Sequence, residues 1–205
     1  MIVYITGASG SGKTTLAKAI AGKIFYGGMI RFDPLEEQIE GPKILLIEQQ
    51  HQFTNRSNIQ QFYYQQRFNS SDAEDSLTVA EQFDATNQKL KEYWISFFNL
   101  GSVIDKPLIQ LSNGENKRLQ LAKAMTESPS LLILDNPFVG LDKAGRSTLQ
   151  EGLNKIAEAG TKILLFAAPE DLPSCITHVA IIKEGKIIFS GSKNSQPEQE
   201  ELLEP

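Results

Sequence analysis

Two hydrophobic patterns divide this chain: short unbroken apolar runs, and longer stretches with apolar residues three or four apart. The runs are Met1–Thr6, Lys43–Glu48, Ser130–Leu134 and Lys162–Ala168, all rich in Ile, Leu and Val. Runs of this length predict strands buried on both faces. Helical spacing marks Lys13–Gly22 through Leu16, Ala17 and Ile20. It marks Asn113–Met125 through Leu119, Ala122 and Met125, and it also marks Asp142–Ala159. Thr78 followed by Glu81 reads as a capping box. Val79, Phe83, Leu90, Tyr93, Trp94 and Phe97 then predict one amphipathic helix, with Trp94, Phe97 and Phe98 in its core. Ile30–Phe32 predicts a short strand. Gln49–Gln66 holds seven glutamines but also Phe53, Phe62, Tyr63 and Tyr64, so it is expected to be an ordered surface segment. Val179–Lys183 and Lys186–Phe189 flank Glu184-Gly185, a hairpin, and the polar residues 192–205 predict a flexible tail. Strand, helix, strand between residues 130 and 168 requires a parallel sheet. The predicted class is therefore α/β, with a mostly parallel central sheet.

Composition narrows the functional classes. A length of 205 residues fits one domain with at most a small attached lobe. The net charge of −5 argues against direct nucleic-acid binding. Cys175 is the single cysteine, which excludes a disulfide framework and a cysteine-based metal cluster. No run is long enough to span a membrane, and Met1–Thr6 lacks the basic flank of a signal peptide. The expected location is cytoplasmic, with the inner face of a membrane reached only through a partner.

The chemistry begins at residue 7. Gly7, Gly12, Lys13 and Thr14 match G-x-x-x-x-G-K-[ST] between a predicted strand and a predicted helix. Gly7, Ala8, Ser9, Gly10, Ser11 and Gly12 are small enough for successive backbone N–H groups to converge on phosphate oxygens. The helix start adds unpaired N–H groups and a positive dipole end. Lys13 is expected to reach the β- and γ-phosphates, Thr14 to ligate Mg2+ and Thr15 to touch the α-phosphate of ATP. Asp135 ends the apolar run SLLILD, where a carboxylate can hold Mg2+ opposite Thr14.

Later segments extend this picture. A glutamine follows the second strand, Leu111-Ser112-Asn113-Gly114-Glu115 precedes a helix, and Gly140-Leu141-Asp142 follows the Asp135 strand. In this order the segments resemble the ATP-binding cassette (ABC) ATPases over most of residues 1–190. The resemblance implies a P-loop NTPase fold spanning 1–205, with a helical subdomain at about 70–115. It implies that LSNGE is similar to the family's LSGGQ signature. Ser112, Asn113 and Gly114 would then face the nucleotide of a second, head-to-tail domain. Gln49, or Gln50 one position on, resembles the family's metal-sensing glutamine; the preferred register is Gln49. Asp142 is expected to cross the dimer interface, cap the next helix, or do both. Within the family, Asp135-Asn136-Pro137-Phe138 and the Gln/aromatic segment resemble the ModF/PhrA type.

The departures carry expectations too. Asn136 stands where the family has its catalytic glutamate, and an amide has no useful basicity toward water. Ala168 stands where the family has a histidine. Together these imply ATP binding with weakened hydrolysis, in which Lys13, Gln49 and Asn136 remain the candidate catalytic groups. The phosphate loop also starts earlier than in the family, which implies a missing upstream layer, a missing adenine-stacking aromatic and an exposed sheet edge. The leading expectation is the nucleotide-binding component of a transporter, docked on a membrane permease. The alternatives are a non-transport ABC protein in repair or translation, and a regulatory ATP-binding dimerisation module.

Overall fold

Ile2–Thr6 (β1) delivers the chain into the glycine-rich loop, and Lys13–Ile20 (α1) carries it away. These elements belong to a computed structural model that describes residues 1–31, 42–49, 52–54, 61–63, 76–83, 88–168 and 176–195. The remaining elements are Ile44–Ile47 (β2), Gln52–Thr54 (β3), Gln61–Tyr63 (β4), Gln88–Phe97 (α2), Asn113–Thr126 (α3), Leu131–Asp135 (β5), Lys143–Glu158 (α4), Lys162–Phe166 (β6), His178–Lys183 (β7) and Lys186–Ser192 (β8).

Six strands form one sheet in the order β2-β5-β6-β1-β7-β8. All neighbours are parallel except the β7–β8 hairpin. A parallel sheet needs cover on both faces, and alternate side chains supply it. Ile5, Ile133, Phe166, Ala180 and Ile182 form one core with Ala17, against which Leu16 and Ile20 of α1 pack. Ile2, Tyr4, Leu132, Leu134, Leu165 and Ile181 form the other core, with residues of α2, α3 and α4. The order puts β1 in the interior of the sheet. Its loop therefore opens at the same edge as the C-terminal ends of β2, β5 and β6, where ligands bind in open α/β sheets.

Several elements depart from the sequence reading. Ile30 and Arg31 lie in no strand, and Phe32 falls outside the described residues. Thr78 and Glu81 do exchange the reciprocal bonds of a capping box, at 2.7 and 3.4 Å. They open a 3-10 turn at Ala80–Gln82, however, and α2 begins only at Gln88. The backbone explains this. Val79 donates to Lys106 O, Ala80 to Ile104 O, and Leu108 to Leu77 O. Those groups are committed to a neighbouring segment rather than to a helical ladder. Trp94 and Phe98 are buried as expected; Phe97 is only half-buried, stacked on Tyr93 and edge-on to Trp94 and Phe98. Ser192 closes β8 and Lys193–Ser195 form a 3-10 turn, so order runs past the predicted start of the tail; residues 196–205 lie outside the described set. Gln49–Gln66 contributes the antiparallel pair β3–β4. Cys175 also lies outside the described residues.

Candidate functional site: a phosphate loop facing an acidic strand tip

Gly7 is required by close approach. A Cβ there would stand 2.2 Å from the Ile182 carbonyl oxygen and 2.8 Å from Ser11 Oγ. Gly10 and Gly12 take φ of 79° and 101°, a left-handed region in which side chains are strained. These turns bring the chain into α1 with no side-chain cap at Gly12. The first-turn N–H groups are left to a ligand. The Ser11 hydroxyl is buried with no hydrogen-bond partner. An orphaned donor inside an amide-lined loop is what a bound phosphate would satisfy. The hairpin between β7 and β8 braces the loop from outside, with Gly185 N donating to Ser11 O at 3.0 Å.

Lys13 folds back on its own loop, donating to Gly7 O at 2.7 Å and Ala8 O at 2.9 Å. Burial holds its pKa below the usual lysine value, and the Asp135 charge works against that shift. Thr14 is the second residue of α1, and its hydroxyl lies near enough to the Asp135 carboxylate to favour the charged form. Asp135 is 3 % exposed at the end of β5. Burial pushes its pKa up and Glu48 adds to this, against Thr14, Lys18 and Lys13. An added cation would relieve both the burial and the Glu48 repulsion. The sequence reading paired Thr14 with Asp135 as metal ligands, and the fold brings them into contact.

Asn136 does something the sequence did not reveal. It adopts φ 46° and donates from Nδ2 to Asp135 Oδ1 at 3.1 Å. Its amide therefore steadies the Asp135 carboxylate. Ala168 follows β6, and its carbonyl accepts a hydrogen bond from the buried Tyr4 hydroxyl. Gln49 is exposed one residue past Glu48, beside the tip of β5, because β2 pairs Ile47 with Leu134. Gln50 and His51 are outside the described residues.

The LSNGE segment forms the start of α3. Ser112 caps it, accepting from Glu115 N at 3.2 Å, while Glu115 Oε2 accepts from Ser112 N at 2.7 Å. Burial tends to raise the Glu115 pKa. The Ser112 backbone and hydroxyl, with Lys106, outweigh it and leave the pKa below the ordinary value. Asn113 is exposed and reaches Gly140 O at 3.1 Å, joining the helix start to the Gly140-Leu141-Asp142 turn. A Cβ on Gly114 would meet nothing within 4 Å, so the space above the helix start is open. Asp142 caps α4, accepting from Gly145 N at 2.8 Å.

Lys117 went unassigned in the sequence. No sequence signal marked it, since polar Asn116, Arg118 and Gln120 surround it, although α3 buries Asn116, Leu119 and Gln120 as well. It is 8 % exposed, and its ammonium donates to Glu48 O at 3.1 Å and Gln49 O at 3.3 Å. Burial lowers its pKa to about 8, with Asp135 opposing.

A largely parallel sheet whose inner strand ends in this loop, with a buried aspartate two strands away, has the architecture of a P-loop NTPase. Residues 1–139 match the family model described as ABC transporter, and the chain belongs to that family. It is similar to an uncharacterized ABC transporter ATP-binding protein of Schizosaccharomyces pombe, 30 % identical over 203 residues, covering 92 % of this chain and 41 % of the relative. The ABC transporter ATP-binding protein ModF of Escherichia coli is 32 % identical over 107 residues, covering 51 % of this chain and 22 % of its own length. Among solved structures, cbiO1 of Clostridium perfringens, part of the ABC transporter complex cbiONQ, superimposes with a TM-score of 0.69 at 26 % identity, covering 93 % of this chain and 76 % of that one. The chain thus spans less than half the length of both curated relatives. The ABC family expected from the order of motifs is the family found. Among the described residues, no helix is long and apolar enough to cross a membrane.

Proposed function

We propose that this chain is the MgATP-binding component of an ABC transporter or a related assembly, that it pairs head to tail with a second such domain, and that it hydrolyses ATP slowly. The observation that carries the reading is the Thr14–Asp135 contact beneath a loop with an orphaned Ser11 hydroxyl and an uncapped helix start. Gly7–Gly12 amides would take the phosphates, and Lys13 would exchange its Gly7 and Ala8 carbonyls for phosphate oxygens. Thr15, the next residue of α1, would lie along the α-phosphate. Thr14, Asp135 and Gln49 would hold Mg2+, which neutralises phosphate charge and orients the terminal group. Ser112, Asn113 and Gly114 would complete the nucleotide site of the partner domain. A membrane permease would bring the complex to the inner membrane face.

Slow hydrolysis follows from Asn136 and Ala168. Neither side chain can take a proton from water, and the Asn136 amide is already engaged by Asp135. The same bond favours the second reading, a regulatory module that closes on ATP without turning it over.

Light scattering on the full chain tests the pairing. Saturating ATP with Mg2+ is expected to double the mass, and ADP is expected to leave it unchanged. A chain that stays monomeric with ATP, while binding it, would remove the head-to-tail arrangement of like chains. Adding the Gly114→Trp substitution, which fills the open space above α3, is expected to abolish the ATP-dependent doubling.

A further inference from the structure

The hairpin that braces the phosphate loop does so through a strained turn. Glu184 and Gly185 join β7 to β8, with Lys183 paired to Lys186 across them. Both turn residues are left-handed, with φ of 51° and 74°. Positive φ at both central positions defines a type I′ turn, whose favoured sequence is Asn-Gly. Glutamate tolerates that backbone poorly. The closing bond of such a turn runs between the flanking residues, which leaves over the N–H of the second central residue. Here that N–H belongs to Gly185, and it donates to Ser11 O at 3.0 Å. Ser11 N donates in turn to Ala8 O at 3.1 Å, inside the loop. The hairpin also meets the loop at both of its ends. A Cβ on Gly7 would collide with the Ile182 carbonyl oxygen, and a Cβ on Gly12 would lie 3.7 Å from Gly185 Cα. Lys13 and the uncapped first turn of α1 come directly after Gly12.

We propose that Glu184 and Gly185 are positioning residues for the phosphate loop. The type I′ form of their turn aims the Gly185 amide at Ser11, and this bond sets where the loop's N–H groups and the start of α1 stand. The inference rests on the reading of Gly7–Gly12 as a phosphate cradle. It adds that the cradle's affinity is set from outside, by the hairpin at the edge of the sheet. Turn type matters because a type II′ turn of the same length has its central peptide rotated by about half a turn. The Glu184 carbonyl would then face the Ser11 carbonyl, two acceptors opposed, and the Gly185 amide would point away.

Two variants of the full chain test this. The double change Glu184→Gly with Gly185→Ser writes a Gly-Ser turn, which favours type II′ and keeps a two-residue hairpin. A Cβ at Gly185 meets nothing within 4 Å, so the serine fits. Glu184→Asn writes Asn-Gly and favours the turn already present. In the double variant, hydrogen exchange at amide 185 and at Gly12–Thr14 is expected to rise about 10-fold. Affinities for ATP and for inorganic tripolyphosphate are both expected to fall about 10-fold, while the urea midpoint stays at the wild-type value. In Glu184→Asn, exchange at Gly185 is expected to slow by about 3-fold, with neither affinity reduced. Wild-type affinity for tripolyphosphate in the double variant would overturn the proposal. So would a loss confined to ATP, which would set the turn against the nucleoside. A urea midpoint that fell along with affinity would overturn it too, by assigning the turn to general stability. A wild-type chain that bound neither ligand would overturn the phosphate reading instead, and exchange at Gly12–Thr14 would still decide whether the turn places the loop.

Discussion

Asn136→Glu is expected to raise ATP turnover by about 10²-fold, and adding Ala168→His is expected to bring the gain to about 10⁴-fold. The effect starts from the bond Asn136 now makes. Its Nδ2 donates to Asp135 Oδ1. A carboxylate at that position cannot donate, and it is repelled by Asp135, so it turns away from the β5 tip toward solvent. There it meets the water that must lose a proton, and it has the basicity the amide lacks. The Asn136 backbone is left-handed, with φ 46°. Asparagine tolerates this better than glutamate, so the substitution should cost about 1 kcal/mol of stability. The Ala168 carbonyl is fastened by the Tyr4 hydroxyl, a bond that uses backbone and survives the change to histidine. The imidazole then adds a donor on an anchored segment. Phosphate release under single- and multiple-turnover conditions measures both. Turnover equal in wild type and both variants would show that these positions do not limit hydrolysis.

Gly7→Ala is expected to remove ATP binding, with a loss of affinity beyond about 10²-fold, and to cost about 3 kcal/mol of stability. The added methyl would lie 2.2 Å from the Ile182 carbonyl oxygen. That oxygen belongs to β7, which pairs with β1 through Thr6 and Ile181. Neither strand can yield without breaking the ladder, so the loop itself must move. Moving it displaces the amides and Ser11 together. Gly10→Ala is the control. A Cβ there meets nothing within 4 Å, and only the φ of 79° opposes it. Its cost should be near 1 kcal/mol. Urea unfolding and nucleotide titration of the two variants separate collision from conformational strain.

The sheet strands and the phosphate loop were legible because their signals are local. An apolar run of β-formers followed by small residues and G-K-T allows few other structures. The family was legible because several such signals occur in a fixed order. What escaped was decided by contacts distant in sequence. Val79 and Phe83 satisfy helical spacing with Leu90 and Trp94, yet backbone pairing with residues 104–108 breaks the helix. Lys117 has no assigned place in the sequence until β2 is set against α3. Asn136 was read as a poor substitute for a base. Its bond to Asp135 depends on a left-handed backbone that no periodicity reveals. The pairing of Thr14 with Asp135 was read from motif types alone, and the order of the sheet supplies the physical reason for it.

Titration calorimetry of the full chain with ATP and Mg2+ tests the central claim most directly. Single-site binding is expected, weakening sharply without Mg2+ and disappearing in Lys13→Ala. Absence of heat with the folded wild-type chain, or equal binding by Lys13→Ala, would contradict it.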